Sequence, residues 1–427
     1  MLAELRALSL PESEGETRLV VGLISFSHFV NHSYIMLLPP VLTLLSGEFH
    51  VTIAQLGLAI GVQAAVTVAL QLPYGYVADS YSREAVLATS LVVGAVGTFL
   101  TAAAPSYLWL LASQAVLGVG IAGHHPSHYP MISSATDADQ RGRAYSLHGF
   151  LGSLGFATPP AVVTLVLALG GTWREALAAI GVVGSLFAVG CLWVVHRRVS
   201  AAVRLPDRSD SPTLIARRPL GDRFVGAVRA LAAMPGILGL ALLALLTSMA
   251  GWAIRAYAPI LFQAYGLSAG GANLLVSVML VVSALLILAG GVLADRLPVR
   301  RILVAGYVAL AVLSVALASQ SLPLVVMVLV AVPFIGAVSV SRPARSKLTD
   351  ALAGRGDVGK SFALVTIGIS GGGVVAPPAF GYVVDTVGVG VAFDLVAVLA
   401  VASILLTLTL PSAGDDRGRD GPTAADD

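Results

Sequence analysis

Charge is what this sequence has least of. Of its 427 residues, 11% are Asp, Glu, Lys or Arg and 57% are hydrophobic, whereas a water-soluble domain carries about 25% charged residues. Such a chain lacks the polar surface to stay in water, and a polytopic membrane protein is the class left to it. Cysteine is almost missing as well. Cys191 stands alone, which excludes an intramolecular disulfide and any thiolate metal site. The basic residues are nearly all arginine, and the formal charge of +2 gives no ground for a nucleic-acid partner. Carboxylates are missing from the middles of the apolar runs. Asp79 and Asp295 fall near one set of ends, and Glu48, Glu175, Asp385 and Asp394 near the other.

What is there is a series of about twelve apolar runs, each near the roughly 20 residues that cross a bilayer. They lie near 19–46, 53–79, 85–104, 107–134, 142–169, 174–195, 236–264, 270–294, 301–319, 322–347, 359–385 and 389–411. Short connections make neighbouring spans antiparallel. The expected organisation is a six-helix bundle over 1–195, a linker over 196–235, a second six-helix bundle over 236–411 and a disordered tail over 412–427. Arg197, Arg198, Arg204, Arg208, Arg217, Arg218, Arg223 and Arg229 mark the linker as cytoplasmic. Arg83, Arg141, Arg143, Arg296, Arg300, Arg301, Arg355 and Lys360 fall on that same side if the spans alternate, with Arg174 the lone exception. Both termini are therefore expected in the cytoplasm, and the chain in the plasma membrane.

The two halves echo each other at one offset. His125 and Arg342 are 342 − 125 = 217 apart, Gly142-Arg143 falls on Gly359-Lys360, and Pro160 on Pro377. A single fixed offset means two copies of one unit. At matching depth one copy carries histidine and the other arginine.

Two loops carry a further paired signal. Gly75, Asp79 and Arg83 follow the second run, and Gly291, Asp295 and Arg300 follow the eighth. A glycine lets helices approach closely, and an Asp beside a helix end can pair with Arg or a helix N-terminus. The paired loops resemble the signature of the major facilitator superfamily, which implies an all-α membrane fold of two pseudo-symmetric six-helix bundles and a transporter rather than an enzyme. The resemblance implies that Gly75, Asp79 and Arg83 hold one conformation closed, although Ser80 and Ser82 depart from the usual residues. Within the first half, residues 24–31, Glu48-Phe49, residues 55–57, Gln63, Gln71, Gly75-Tyr76 and His125-Pro126 look like fosmidomycin-resistance-type transporters. That likeness implies efflux by antiport. Three departures stand against a direct carry-over of the coupling mechanism: His32 follows Asn31 where Asp is common, Ser127 replaces a Glu, and Gln114 replaces an Arg.

Ionisable residues inside spans are costly and usually face an aqueous cavity. All eight histidines lie in the first half, with His28, His32, His124, His125, His128 and His148 within spans, and the second half offers Arg255 and Arg342. The candidate substrate and coupling residues are therefore His28, Asn31, His32, Gln63, Gln114, His125, His128, Arg255 and Arg342. Helical spacing puts Gln114, Gly118, Ile121, His125 and His128 on one stripe. The roles of His124, His148 and Arg345 stay open, with snorkelling toward the cytoplasm one reading of Arg345. The Gly149, Gly152, Gly155 stripe with Pro159-Pro160, and its echo Gly371–Gly373 with Pro377-Pro378, suit close packing and bending.

Fixed arginines in a low-dielectric cavity favour an anion, and histidine is the natural proton carrier where carboxylates are missing. The expected function is secondary active transport of a small organic, anionic solute coupled to protons, of efflux type, with import or anion exchange as the alternative. The lipid bilayer, a small-molecule substrate and protons are the partners expected. His28-x3-His32 and His124-His125-x2-His128 have spacings that metal sites use, but a metal enzyme would leave the second half and its echo without a role. No metal or other cofactor is assigned, and energy from ATP is not expected.

Overall fold

The computed structural model describes residues 12–137, 139–206, 235–353 and 358–411. Most of the linker and the tail therefore lie outside the described residues. Among the described residues twelve helices are long and apolar enough to cross a membrane: α1 Glu14–Phe49, α2 Ile53–Ser80, α3 Arg83–Ala102, α4 Tyr107–Ala135, α5 Arg141–Ala168, α6 Trp173–Arg198, α7 Gly236–Ala264, α8 Ala269–Arg296, α9 Val299–Ala318, α10 Leu324–Leu352, α11 Leu364–Thr386 and α12 Val389–Thr409. Each expected run has its helix, and among the described residues there is no strand.

Local chemistry sets the ends and the breaks. Thr52 and Thr172 open α2 and α6 with reciprocal capping boxes through Gln55 and Glu175. Pro39 and Pro40 reduce α1 to a short 3₁₀ turn between Glu12–Ile35 and Leu42–Phe49. Helix α4 breaks at Gly123 and resumes over His124–Ala135, and α10 breaks at Val340 and resumes over Ser341–Leu352. Helix α10 has a further break at Val332-Pro333, between Leu324–Ala331 and Phe334–Ser339, but the last segments of both helices have 12 residues and begin 341 − 124 = 217 apart. The repeat seen in the letters is thus a repeat of the same helix break.

Packing repeats as well. Within the first half α1 lies on α5, α2 on α4 and α3 on α6. Within the second, α7 lies on α11, α8 on α10 and α9 on α12. The halves meet through α2 on α11 and, in the mirrored pairing, α5 on α8. Glycines allow that approach: a Cβ on Gly57 or Gly381 would run into the Tyr257 hydroxyl at 2.6 and 2.8 Å.

The bonds between halves gather at the end whose loops carry Arg174 alone. Asn273 Nδ2 donates to the Pro40 carbonyl at 2.8 Å, Ser277 Oγ to that of Ala157 at 2.8 Å and Thr164 Oγ1 to that of Gly270 at 3.0 Å. The Asp385 carboxylate of α11 receives the N–H groups of Ile53 and Ala54 at 3.0 and 2.7 Å, the first turn of α2, where a helix N-terminus favours negative charge. The opposite, arginine-bearing end is where Arg342, Tyr129 and Tyr76 stand exposed. The molecule is closed at one end and open between its halves at the other.

At the closed end Arg174 pairs with Glu48 at 2.6 Å, and Trp173 Nε1 donates to the same carboxylate at 2.7 Å, so the one exception to the arginine bias is neutralised. The paired Gly-Asp-Arg loops sit at the open end. There a Cβ at Gly75 or Gly291 would meet open space, so neither glycine makes a close helix contact in this conformation. Arg83 bonds Ser134 Oγ at 2.7 Å and the Ala202 and Val203 carbonyls, Arg300 bonds the Leu410 carbonyl, and Asp295 lies 3.5 Å from Lys347. The linker's first turn, Ala201–Arg204, is thereby tied to the first half, with Arg204 on Glu84 at 2.7 Å.

Asp385→Ala should loosen the closed end by roughly 1 kcal/mol, about fivefold in the open-to-closed ratio at that end. Nitroxide labels at Val51 and Val387 would report it as a larger long-distance population by pulsed electron resonance.

Candidate functional site: a histidine cluster facing two unpaired arginines

Helix α1 brings His28 and His32 onto one face, four residues apart, and α5 supplies the surface they meet. His28 Nδ1 donates to the His148 carbonyl at 2.9 Å and His32 Nδ1 to the Gly152 carbonyl at 2.8 Å. Only glycine fits opposite these rings. A Cβ on Gly152 would collide with the His28 imidazole, and one on Gly155 with the Phe29 carbonyl. A Cβ on Gly149 would meet nothing within 4 Å. The second half builds the matching rung with Ser248 Oγ on the Ile369 carbonyl at 2.6 Å, and 369 − 152 = 217.

The break in α4 supplies the rest. His124 Nδ1 donates to the Ile121 carbonyl at 2.6 Å, and the His124 and His125 rings lie 3.7 Å apart between centroids. His28 lies 5.3 Å from both of them, 6.0 Å from His128 and 4.0 Å from His148, on which it stacks. His128 shares a 3.0 Å hydrogen bond with Ser27 Oγ. Six imidazoles from α1, α4 and α5 therefore form one cluster. His28, His124, His128 and His148 are buried, and His32 and His125 are half-buried. One ring nitrogen from each of His28, His32, His124 and His125 lies within 4.8 Å of the others.

Two arginines face this cluster from the other half. Phe156 stacks on His32 at 4.2 Å and also receives the Arg255 guanidinium at 5.3 Å, an aromatic contact between the halves. Arg342, the second residue of Ser341–Leu352 as His125 is of His124–Ala135, is within electrostatic reach of His28, Tyr129 and Arg255. Tyr129, stacked on His125 at 5.4 Å, is 44% exposed and stands between the cluster and Arg342. Among the described residues neither Arg255 nor Arg342 has a hydrogen-bond or ion-pair partner, and Arg255 Nε is buried without one. Arg342 is exposed and Arg255 half-buried, and a guanidinium N–H desolvated without a partner, as at Arg255 Nε, is costly unless something outside the chain meets it.

Of the expected site residues, the fold joins His28, His32, His125, His128, Arg255 and Arg342. It does not join the others to them. Gln114 is buried against α3, donating to Thr101 Oγ1 at 3.0 Å, so the stripe read along α4 is split by the break at Gly123. Asn31 also turns to α3, with Nδ2 3.3 Å from Ser90 Oγ. Gln63 reaches the Tyr34 carbonyl and, with Thr67 and Trp252, lines a cavity of about 150 Å³ between the halves that none of the histidines or arginines of the site lines. Arg345 does not snorkel. It is 7% exposed and donates to Thr247 Oγ1 at 2.8 Å on α7, because α10 presents it inward. Phe156 was not singled out in the sequence, where an aromatic between Gly155 and two prolines reads as packing. His124 and His148, whose roles were open, belong to the cluster.

Residues 354–361 spell Gly-x4-Gly-Lys-Ser, the letters of a phosphate-binding loop. That motif needs a strand before it and a helix after it. Here Val358 starts a helix and the described residues contain no strand, so that context is missing, and Gly359-Lys360 is the echo of Gly142-Arg143.

Twelve membrane-crossing helices in two mirrored sets, closed around a polar centre at one end, define a membrane transporter, not an enzyme. The family model of the Major Facilitator Superfamily matches residues 24–268 and again 240–425, and the chain belongs to that superfamily. It is similar to a "Probable sulfoacetate transporter" of Cupriavidus necator, 30% identical over 166 residues, 39% of this chain and 38% of that protein. It is also similar to the fosmidomycin resistance protein of Escherichia coli, 26% identical over 200 residues, 47% of this chain and 48% of that one. Both matches span less than half of the relative's length. Among solved structures, a bacterial homologue of the human lysosomal transporter Spinster, in an inward-facing and occupied conformation, has 16% identity and a TM-score of 0.71 over 92% of this chain and 95% of that one, which is a likeness of fold.

Gly152→Ala should drive the His28 ring off its rung and cost roughly 1–3 kcal/mol by overpacking, whereas Gly149→Ala should be near neutral. Thermal unfolding of the two purified variants in detergent separates them.

Proposed function

We propose that this protein carries a small organic anion across the plasma membrane by rocking its two halves about the central gap, with the arginine-bearing end and both termini in the cytoplasm. The observation that carries this reading is the pair Arg255 and Arg342, two unpaired guanidiniums that the fold turns toward one gap. Like charges so placed repel each other, and a carboxylate, sulfonate or phosphonate binding between or beside them would relieve that repulsion and supply charge-assisted hydrogen bonds. The aromatic walls Phe156 and Tyr129 suit a solute with a small apolar body. The arginine bias of the loops supports the orientation, which makes the conformation described here open to the cytoplasm.

An ion gradient, not nucleotide hydrolysis, energises the cycle. Export is the direction proposed, on the likeness to a fosmidomycin resistance protein. Import is the second reading, favoured by the likeness to a sulfoacetate transporter. Proteoliposomes carrying an internal pH dye, screened across sulfonates, carboxylates and phosphonates, distinguish these and show whether protons move with the solute, as expected from the histidine content.

Arg342→Ala should reduce transport of the anion at least tenfold while leaving folded protein and its unfolding temperature unchanged, and Arg342→Lys should retain part of it, since Lys keeps the charge and loses the bidentate fork. Unchanged transport in Arg342→Ala would remove this residue from the site and the anion reading with it.

A further inference from the structure

We infer that His28, His32, His124 and His125 form a binding site for a late first-row divalent transition-metal ion of the zinc class. The inference goes beyond the transport reading and does not depend on it.

The protons of the cluster decide the matter. A carbonyl oxygen can only accept, so the bonds of His28 to the His148 carbonyl, His32 to that of Gly152 and His124 to that of Ile121 each put the proton on Nδ1. A neutral imidazole has one proton. The Nε2 atoms of all three rings are then bare lone pairs. Those of His28 and His32 lie 2.9 Å apart, two acceptors in contact. That of His124 is buried and has no hydrogen-bond partner. Lone pairs driven together in a buried place repel unless a cation sits among them.

A metal ion answers all three at once. Histidines that ligate metal nearly always donate the other ring N–H to a carbonyl or carboxylate, which fixes the tautomer and aims the lone pair. Three of these four rings already have that outer bond, and all three bonds are to backbone, which leaves the Nε2 of each free to ligate. The fourth ring, His125, closes the set within the 4.8 Å span. Zinc–nitrogen bonds of 2.0–2.1 Å in a tetrahedron place ligand nitrogens roughly 3.3 Å apart, so closing the set takes shifts of an ångström or so. Imidazole suits zinc, copper, nickel and cobalt, while calcium and magnesium want oxygen. A shared proton would relieve the His28–His32 contact alone and leave the His124 lone pair unmet. The groups acting on the site from elsewhere are His128 of α4, His148 of α5 and Arg342 of α10. Since Arg342 adds positive charge beside a dication, the ion would hold an anion such as chloride as its counter-charge.

The test uses the full chain in nanodiscs in chloride buffer, stripped with chelator and then titrated with Zn²⁺, and separately with Co²⁺, whose visible absorption reports tetrahedral nitrogen coordination. The expected result is one ion per chain and the tetrahedral cobalt spectrum. His32→Gln and His124→Gln should each weaken binding at least tenfold while the unfolding temperature without metal stays within a few degrees. A His50→Gln, His196→Gln double variant, which removes the two histidines outside the cluster, should bind as the parent does. Three results would each overturn the site: no stoichiometric uptake by the parent, an adventitious ion only that the double variant abolishes, or undiminished binding in His32→Gln and His124→Gln together. If the parent takes up no metal and ¹⁵N-histidine spectra show one imidazolium persisting well above pH 7, the His28–His32 contact belongs to a proton.

Discussion

The structure turns on the cost of charge in a low-dielectric interior. Within a bilayer an ionisable side chain is tolerated where it meets water, a partner or a bound solute. The fold answers that constraint by concentrating its mid-membrane cations and imidazoles at one place, the gap between two bundles, and by leaving the outer faces of the helices to lipid. Leu72, Leu186 and Val189, each at least 70% exposed, are the lipid-facing counterpart of Arg345, which is buried but bonded to Thr247. The two arginines without such a bond are the ones that face the gap.

The cluster exists because α1 can lie directly on α5. That contact depends on the absence of side chains at Gly152 and Gly155, and on the carbonyls of His148 and Gly152 being one helical turn apart, in step with His28 and His32. A helix ladder leaves its carbonyls able to accept a second hydrogen bond, and imidazole N–H groups take them. The same geometry in the second half uses Ser248, a smaller donor, on the Ile369 carbonyl. Duplication therefore supplied one scaffold, and substitution made its two walls chemically unlike: lone pairs on one, guanidiniums on the other.

Closure at one end has a similar economy. Asp385 sits across the first turn of α2, where the free N–H groups of a helix start would otherwise face water, and Tyr257 bonds the Pro377 carbonyl nearby. Because α2 meets α11 and α8 meets α5 by mirrored pairing, a rocking motion that parts these contacts would bring together the arginine-bearing ends, where Gly75 and Gly291 now stand clear.

Much of this was legible in the letters. Composition gave the class, the apolar runs gave twelve helices to within a few residues, and the 217-residue echo gave the duplication; the matching breaks at Gly123 and Val340, inside runs read as continuous, came from the structure. Six of the nine candidate substrate and coupling residues came together because histidine and arginine inside a span have few other places to go. Asn31, Gln63 and Gln114 did not, since an uncharged amide is satisfied by any nearby hydroxyl or carbonyl, and sequence spacing cannot tell a neighbouring helix from a cavity. The break in α4 also cancels the periodicity that linked Gln114 to His125. By itself, then, the sequence determined the spans, the duplication and the inventory of charged groups, all of which follow from hydropathy and local backbone chemistry. Only the tertiary structure decided which ring nitrogens converge and which arginines stay unpaired, because those depend on the register and approach of helices more than a hundred residues apart.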